Sequence, residues 1–246
     1  MMTFSALGRY GRLGNQMFQV ASTIGIARKY GREFCFPKWV NYDQQVRFNI
    51  PDDYQIAQHF EHQLPLWDGR QYPEHFIHWG YSDLFVPDNV DLTGHMQSEK
   101  YFKNCEDIIR HYFQFKKPTQ KNDYTALHVR MGDYGSDYHP ICSQEYYRQA
   151  VEKVGGKIIL FSDEPQKAMQ YLDGIRIHSI DTNKTIDALH TMTMCNRHII
   201  ANSTFSWWGA WLSHKPDCVV APKQWFGPAA SHLETKDIYP ESWIII

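Results

Sequence analysis

The stretch Ala201-Asn202-Ser203-Thr204-Phe205-Ser206-Trp207-Trp208-Gly209-Ala210-Trp211-Leu212 follows the apolar run His198-Ile199-Ile200. The pattern predicts a strand over 198–201 that breaks into small hydroxylated residues and then enters an apolar helix over 206–213. A helix N-terminus gathers unpaired backbone N–H groups and partial positive charge, so a junction of this kind suits an anionic ligand, phosphate above all. The same residues also serve simply to cap a helix, with the tryptophans filling a core. One junction does not decide between the two.

Working outward, the sequence beyond a Lys116-Lys117-Pro118-Thr119-Gln120 linker alternates regularly. Strands are predicted over 124–129, 157–161, 175–178 and 218–221, with helices over 143–154, 165–172 and 185–195. Such alternation implies right-handed crossovers and a mainly parallel sheet covered by helices on both faces. Open sheets of this type bind ligands at the carboxyl ends of their strands. Polar residues stand at three of those ends: His128, Arg130 and Asp133; Ser162 and Asp163; and Asn202, Ser203 and Thr204. Arg130 offers a permanently charged, bidentate donor to a phosphate oxygen, or forms a structural ion pair with Asp133. Asp187, on a helix, either accepts from a base edge or is a solvated charge.

Toward the N-terminus the pattern reads as a strand over 3–7, a glycine-rich loop over 8–14, a helix over 15–30 capped by Asn15 and closed at Gly31, and a strand over 33–36. A strand over 91–95 and an amphipathic helix over 98–113 complete this part, while 39–90 shows no clear period and is assigned loops and short helices. Two α/β halves, 1–118 and 119–246, are therefore expected to face each other across a cleft.

The chain has 246 residues, 43% of them hydrophobic, enough for a substantial core. A net charge of −2 without a Lys/Arg block argues against nucleic acid or an anionic membrane as partner. No apolar run approaches the roughly 18 residues that span a bilayer, so no integral membrane segment is expected. Five scattered cysteines, never in C-x-x-C spacing, suit reduced thiols and a cytoplasmic location. Gly8-x-x-Gly11-x-x-Gly14 is not a dinucleotide fingerprint, and Gly155-Gly156-Lys157 is not a P-loop. No D-x-D or H-E-x-x-H occurs, and His59, His62, His75 and His78 read as surface or packing residues. The expected site is metal-free and needs no cofactor.

Five ordered segments carry a resemblance. They are Gly11-Arg12-Leu13-Gly14-Asn15-Gln16-Met17-Phe18-Gln19, Gly94-His95-Met96-Gln97-Ser98-Glu99-Lys100-Tyr101-Phe102, His128-Val129-Arg130-Met131-Gly132-Asp133-Tyr134, Phe161-Ser162-Asp163, and Asn202-Ser203-Thr204-Phe205-Ser206-Trp207-Trp208. In that order they resemble the motifs of the α-1,2-fucosyltransferases of glycosyltransferase family 11. The resemblance implies a GT-B-like fold of two Rossmann-like halves, acceptor-side and GDP-sugar-binding in turn. It also implies GDP-fucose as donor, a galactose-terminated glycan as acceptor, inversion, and no metal.

By the same resemblance Arg130 neutralises the donor diphosphate, His128 and Asp187 lie near guanine, and Thr204, Phe205 and Ser206 surround the nucleotide; Ser162, Asp163 and Ser203 are expected to bind substrate as residues at strand ends. Asn15 and Gln16 approach the phosphates or the fucose. The base that takes the acceptor proton is left open among Asp133, Asp137 and His139. Two departures stand out: Met131 where the family often has a second arginine, and Glu164 where an aspartate often follows Ser-Asp. Another GDP-sugar as donor, or a nonenzymatic nucleotide-sugar or glycan binder, are the alternative readings.

Overall fold

The computed structural model describes residues 1–9, 11–40, 56–83 and 85–246. Part of the weakly patterned region, 41–55, lies outside the described residues. The chain divides into two units, Met1–Pro118 with Glu234–Pro240, and Thr119–Leu233 with Glu241–Ile246. The observed division thus departs from a single cut at 118/119 in one segment. Asp237 of that segment pairs with Lys100, and Gly80 packs so closely on it that an added Cβ would lie 3.0 Å from the Glu234 carbonyl oxygen.

In the first unit, strands β1 (Met2–Thr3), β2 (Phe34–Cys35), β3 (Glu74–Ile77) and β4 (Val90–Gly94) form a parallel sheet in the order β2-β1-β4-β3. Helix α1 (Leu13–Lys29) follows β1 and is buried from Leu13 to Ala27 except at Asn15. Its C-terminus closes as the sequence predicts: Gly31 has φ +62°, its N–H donates to the Arg28 carbonyl at 3.1 Å, and Arg32 N–H donates to Ala27 at 2.9 Å. Its N-terminus differs. Arg12, not Asn15, is the capping position, and Asn15 lies inside the helix with its Oδ1 accepting from Gln97 Nε2 at 2.9 Å.

Strand β1 is shorter than predicted because Ser5 leaves the ladder for Asp91, whose carboxylate takes the Ser5 N–H at 2.8 Å and also its hydroxyl. The single helix predicted over 98–113 is two short 3₁₀ turns followed by helix α2 (Glu106–Tyr112). The break serves packing: the backbone of Tyr101 and Phe102 lies directly on α1, where a Cβ at Gly25 would come within 2.6 Å of the Phe102 Cα. Strand β3 was not foreseen.

In the second unit six strands form a parallel sheet in the order β10-β9-β8-β5-β6-β7. They are β5 (Asn122–Val129), β6 (Lys157–Ser162), β7 (Ser179–Ile180), β8 (Cys195–Ile199), β9 (Cys218–Ala221) and β10 (Ile244–Ile245). Helices α3 (Gln144–Val154), α4 (Pro165–Tyr171), α5 (Thr185–Thr193) and α6 (Thr204–Leu212) connect them.

β5 is central and continuously buried from Thr125 to Val129, as expected of a parallel strand covered on both faces. Leu127 and Val129 pack with Tyr147 and Leu160 on one face, while Ala126 packs with Phe161 and Met192 on the other. The strand expected at 175–178 pairs instead at Ser179–Ile180, because His178 Nδ1 takes the Ile158 N–H at 3.0 Å in place of a ladder carbonyl. Each unit is a parallel α/β structure, as the GT-B-like reading requires.

Candidate active site

The carboxyl ends of β5, β6 and β7 surround a pocket of about 160 Å³. Its lining includes His128, Arg130, Phe161, Asp163, Asp181 and Phe205. His128 owes its place to the two-residue period of β5, which turns it to the same face as Ala126 and so toward α5 and α6. The ring is 4% exposed, lies 5.5 Å from Phe205 between centroids, and its Nδ1 has no hydrogen-bond partner. Burial pushes its pKa down to about 4 against the opposing influence of Asp163, so the imidazole is neutral at neutral pH.

Arg130 directly follows the last residue of β5 and is 15% exposed. Its Nη1 lies 3.0 Å from Asp163 Oδ2, its Nη2 donates to Asp133 Oδ1 at 2.5 Å, and its guanidinium stands 5.7 Å from the Tyr134 ring centroid. Asp163 also accepts the backbone N–H groups of Met131 at 3.0 Å and Gly132 at 2.9 Å. The Ser162 hydroxyl takes the Glu164 N–H at 3.1 Å, close to the start of α4. The turn after Arg130 therefore rests on the end of the neighbouring strand.

At the β8–α6 junction both serines are buried. Ser203 is 8% exposed and makes no side-chain cap, and Ser206 is buried with its hydroxyl directed to the carbonyls of Ala201 and Ser203. Of Ser203, Thr204, Phe205 and Ser206, Phe205 alone lines the pocket. Asn202 is a fastener: its Nδ2 donates to Pro140 at 2.9 Å and to Trp225 at 3.0 Å, and its carbonyl takes the Tyr134 hydroxyl at 2.9 Å. Trp207, Trp208 and Trp211 fill the core beside Trp243.

Asp187 is half-buried on α5 and is not among the residues lining the pocket, whereas Thr185 and Ala188 of the same helix are. Asp181, Asn183 and Phe161 also line it and were missed by the sequence reading. Asp181 follows β7 directly, so the rule of polar residues at strand ends would have found it had that strand been placed at Ser179–Ile180.

Among the three candidates for base, Asp133 is 47% exposed and paired with Arg130, and Asp137 is exposed. His139 stacks on Tyr134 at 5.0 Å and 14°, and burial lowers its pKa. In the first unit, Gln16 is fully buried, donating to the Gly11 carbonyl and accepting from Trp39 Nε1, both at 2.9 Å. Among the described residues no group of three or more His, Cys, Asp or Glu is placed to hold a metal ion. No helix among them is long and apolar enough to cross a membrane.

The fold is α/β, with an arginine, a histidine and two phenylalanines lining a pocket at the carboxyl edge of a parallel sheet. The chain belongs to glycosyl transferase family 11, whose model matches residues 6–246, and is thus a glycosyltransferase. It is 33% identical to the O-antigen biosynthesis glycosyltransferase WbnK of Escherichia coli, over 95% of this chain and 97% of that protein. It is 28% identical to an alpha-1,2-colitosyltransferase of Escherichia coli, over 64% of this chain and 63% of that protein. It is also 26% identical to a galactoside 2-alpha-L-fucosyltransferase of Caenorhabditis elegans, over 84% and 68% of the two chains. Among solved structures, the E. coli heptosyltransferase WaaC with ADP-2-deoxy-2-fluoro heptose aligns with a TM-score of 0.49 and 11% identity, over 100% of this chain and 92% of that one.

Proposed function

We propose that the protein transfers L-fucose from GDP-fucose to the 2-hydroxyl of a galactose residue in a glycan, with inversion and without a metal ion, in the cytoplasm. The observation that carries this reading is Arg130, fixed at the mouth of an aromatic-walled pocket at the strand ends of a family 11 chain. In the reaction an acceptor hydroxyl attacks the anomeric carbon from the face opposite the diphosphate. The C–O bond to the phosphate breaks, and its electron pair leaves on GDP. Arg130 stabilises that growing charge with a permanently ionised donor, the role that otherwise falls to a Lewis acid. His128, neutral and desolvated, and Phe205 offer the nucleobase a hydrogen-bonding edge and an apolar face. Of the second unit's carboxylates and histidines, Asp133, Asp137 and His139 are the candidates to take the acceptor proton.

The alternative donor, another GDP-sugar, is favoured by one finding, the similarity to a protein named as a colitosyltransferase. GDP release from GDP-fucose, with and without lactose, in EDTA and beside GDP-mannose, separates the readings. Lactose-stimulated release confined to GDP-fucose supports the fucosyl reading. Release confined to another GDP-sugar moves the donor. GDP binding without turnover across a wide acceptor panel favours the nonenzymatic binder, and inhibition by EDTA reversed by Mg²⁺ or Mn²⁺ defeats metal independence.

A further inference from the structure

Arg130 carries two carboxylates, and the chain holds them in different ways. Asp163 stands at the end of β6, 24% exposed, and its two oxygens accept from Met131 N–H at 3.0 Å and Gly132 N–H at 2.9 Å besides pairing with Nη1. The fit at Gly132 is close: a Cβ there would lie 2.6 Å from Asp163 Oδ2, so the carboxylate would have to shift. A carboxylate gripped by two main-chain donors has its direction set by the backbone, and the guanidinium it faces inherits that direction. Asp133 is on the outer turn, 47% exposed, and takes Nη2 at 2.5 Å.

The charge balance is the difficulty. One guanidinium and two ionised carboxylates sum to a net negative charge, and a diphosphate brought to that trio meets repulsion rather than attraction. An anion binds well at Arg130 only if one carboxylate gives way, and the exposed one on the turn costs less to move than the one bound to the main chain. We propose that Asp163 positions Arg130 while Asp133 masks it, the donor's diphosphate replacing Asp133 at Nη2 as Asp163 keeps Nη1 in place. This rests on the reading of Arg130 as the diphosphate ligand, and it makes Asp163 a positioning residue rather than a substrate contact.

The two roles predict opposite signs. Calorimetric titrations with GDP and with inorganic pyrophosphate would be run on the wild type, Asp133→Asn, Asp163→Asn, Arg130→Ala and the Asp163→Asn/Arg130→Ala double variant. Asp133→Asn is expected to bind both anions about three- to tenfold more tightly, and Asp163→Asn about tenfold or more weakly. In the Arg130→Ala background Asp163→Asn should make no further difference, since its effect runs through the arginine. Weaker or unchanged binding by Asp133→Asn, or additive losses in the double variant, overturns the proposal.

A readout without ligand guards against misfolding. NMR of the Arg130 guanidinium should show hindered rotation in the wild type and faster rotation in Asp163→Asn or Gly132→Ala, and equal rotation in folded variants overturns the positioning role. Opposite shifts with pyrophosphate while GDP binds no tighter than ADP would support this inference and defeat the GDP-donor reading. GDP preference with the wrong signs would do the reverse, and a wild type that binds neither anion would overturn both.

Discussion

Both units gather polar residues near the start of a helix, yet the side chains are used in different ways. In the second unit Arg130, His128 and Asp163 line a pocket of about 160 Å³. In the first, Gln16 bridges Gly11 and Trp39, and Asn15 accepts from Gln97. The chemistry of the groups explains the difference. An amide both donates and accepts, so amides can close on one another and on backbone groups. A guanidinium only donates, and its partners here are carboxylates that compete with any incoming anion. The amides of the first unit close into a corner, and the arginine of the second lines a pocket.

The sharpest way to break this comparison is Arg130→Ala. A residue that stabilises the departing diphosphate should cost about 3–4 kcal/mol of transition-state stabilisation when removed, with the fold intact. Donor turnover, read beside circular dichroism, checks it; a folded variant with unchanged turnover would place Arg130 among the structural ion pairs. Next in size is Gln16→Ala, which leaves the buried Trp39 N–H and the Gly11 carbonyl short of a partner. Roughly 1–3 kcal/mol of stability should be lost in denaturant titration, the cost of orphaned buried groups. Undiminished stability with abolished transfer would instead make Gln16 a ligand contact.

A third test works through pH in the second unit. Burial depresses the pKa of His128 to about 4 and that of His198 to about 3, while an unfolded histidine titrates near 6.5. The unfolded chain therefore takes up protons first. The stability these neutral rings confer is complete above pH 6.5 and drains away as the pH falls toward 4. Thermal melts between pH 7.5 and 4.5 should show a falling midpoint, less steep in His198→Gln, whose amide can still reach the Cys195 carbonyl that His198 Nε2 meets at 3.1 Å. A midpoint flat to pH 4.5 would refute the neutral imidazoles.

Much of the second unit was legible because its elements are long and strongly patterned. Cys218–Ala221 falls where alternation puts it, and Ser143 caps α3 through the Tyr146 N–H at 3.1 Å. Boundaries slipped where a side chain substitutes for the ladder, as His178 does beside β6 and Asp91 does at Ser5. The amphipathic period over 98–113 correctly marked a buried face but hid two breaks imposed by the close crossing at Gly25, which no local pattern encodes. At the site, charge type was readable and direction was not. Arg130 and His128 announce themselves at a strand end, whereas the inward turn of Ser206 and the fastening role of Asn202 depend on partners many residues away. Asp181 was lost with the misplaced edge strand.

The smallest expected effect tests the first unit's corner most directly. Asn15→Asp keeps the oxygen that accepts from Gln97 and changes the charge beside it. If Asn15 serves the corner alone, stability should stay within about 0.5 kcal/mol of wild type, as for a partly exposed substitution that preserves its bond, and transfer should proceed at the wild-type rate. A phosphate contact responds otherwise. A carboxylate placed against the diphosphate repels it, so donor KM would rise while the melting midpoint stayed put. That split would make the amide corner of the first unit a donor contact, its internal bonds only holding it ready for that role.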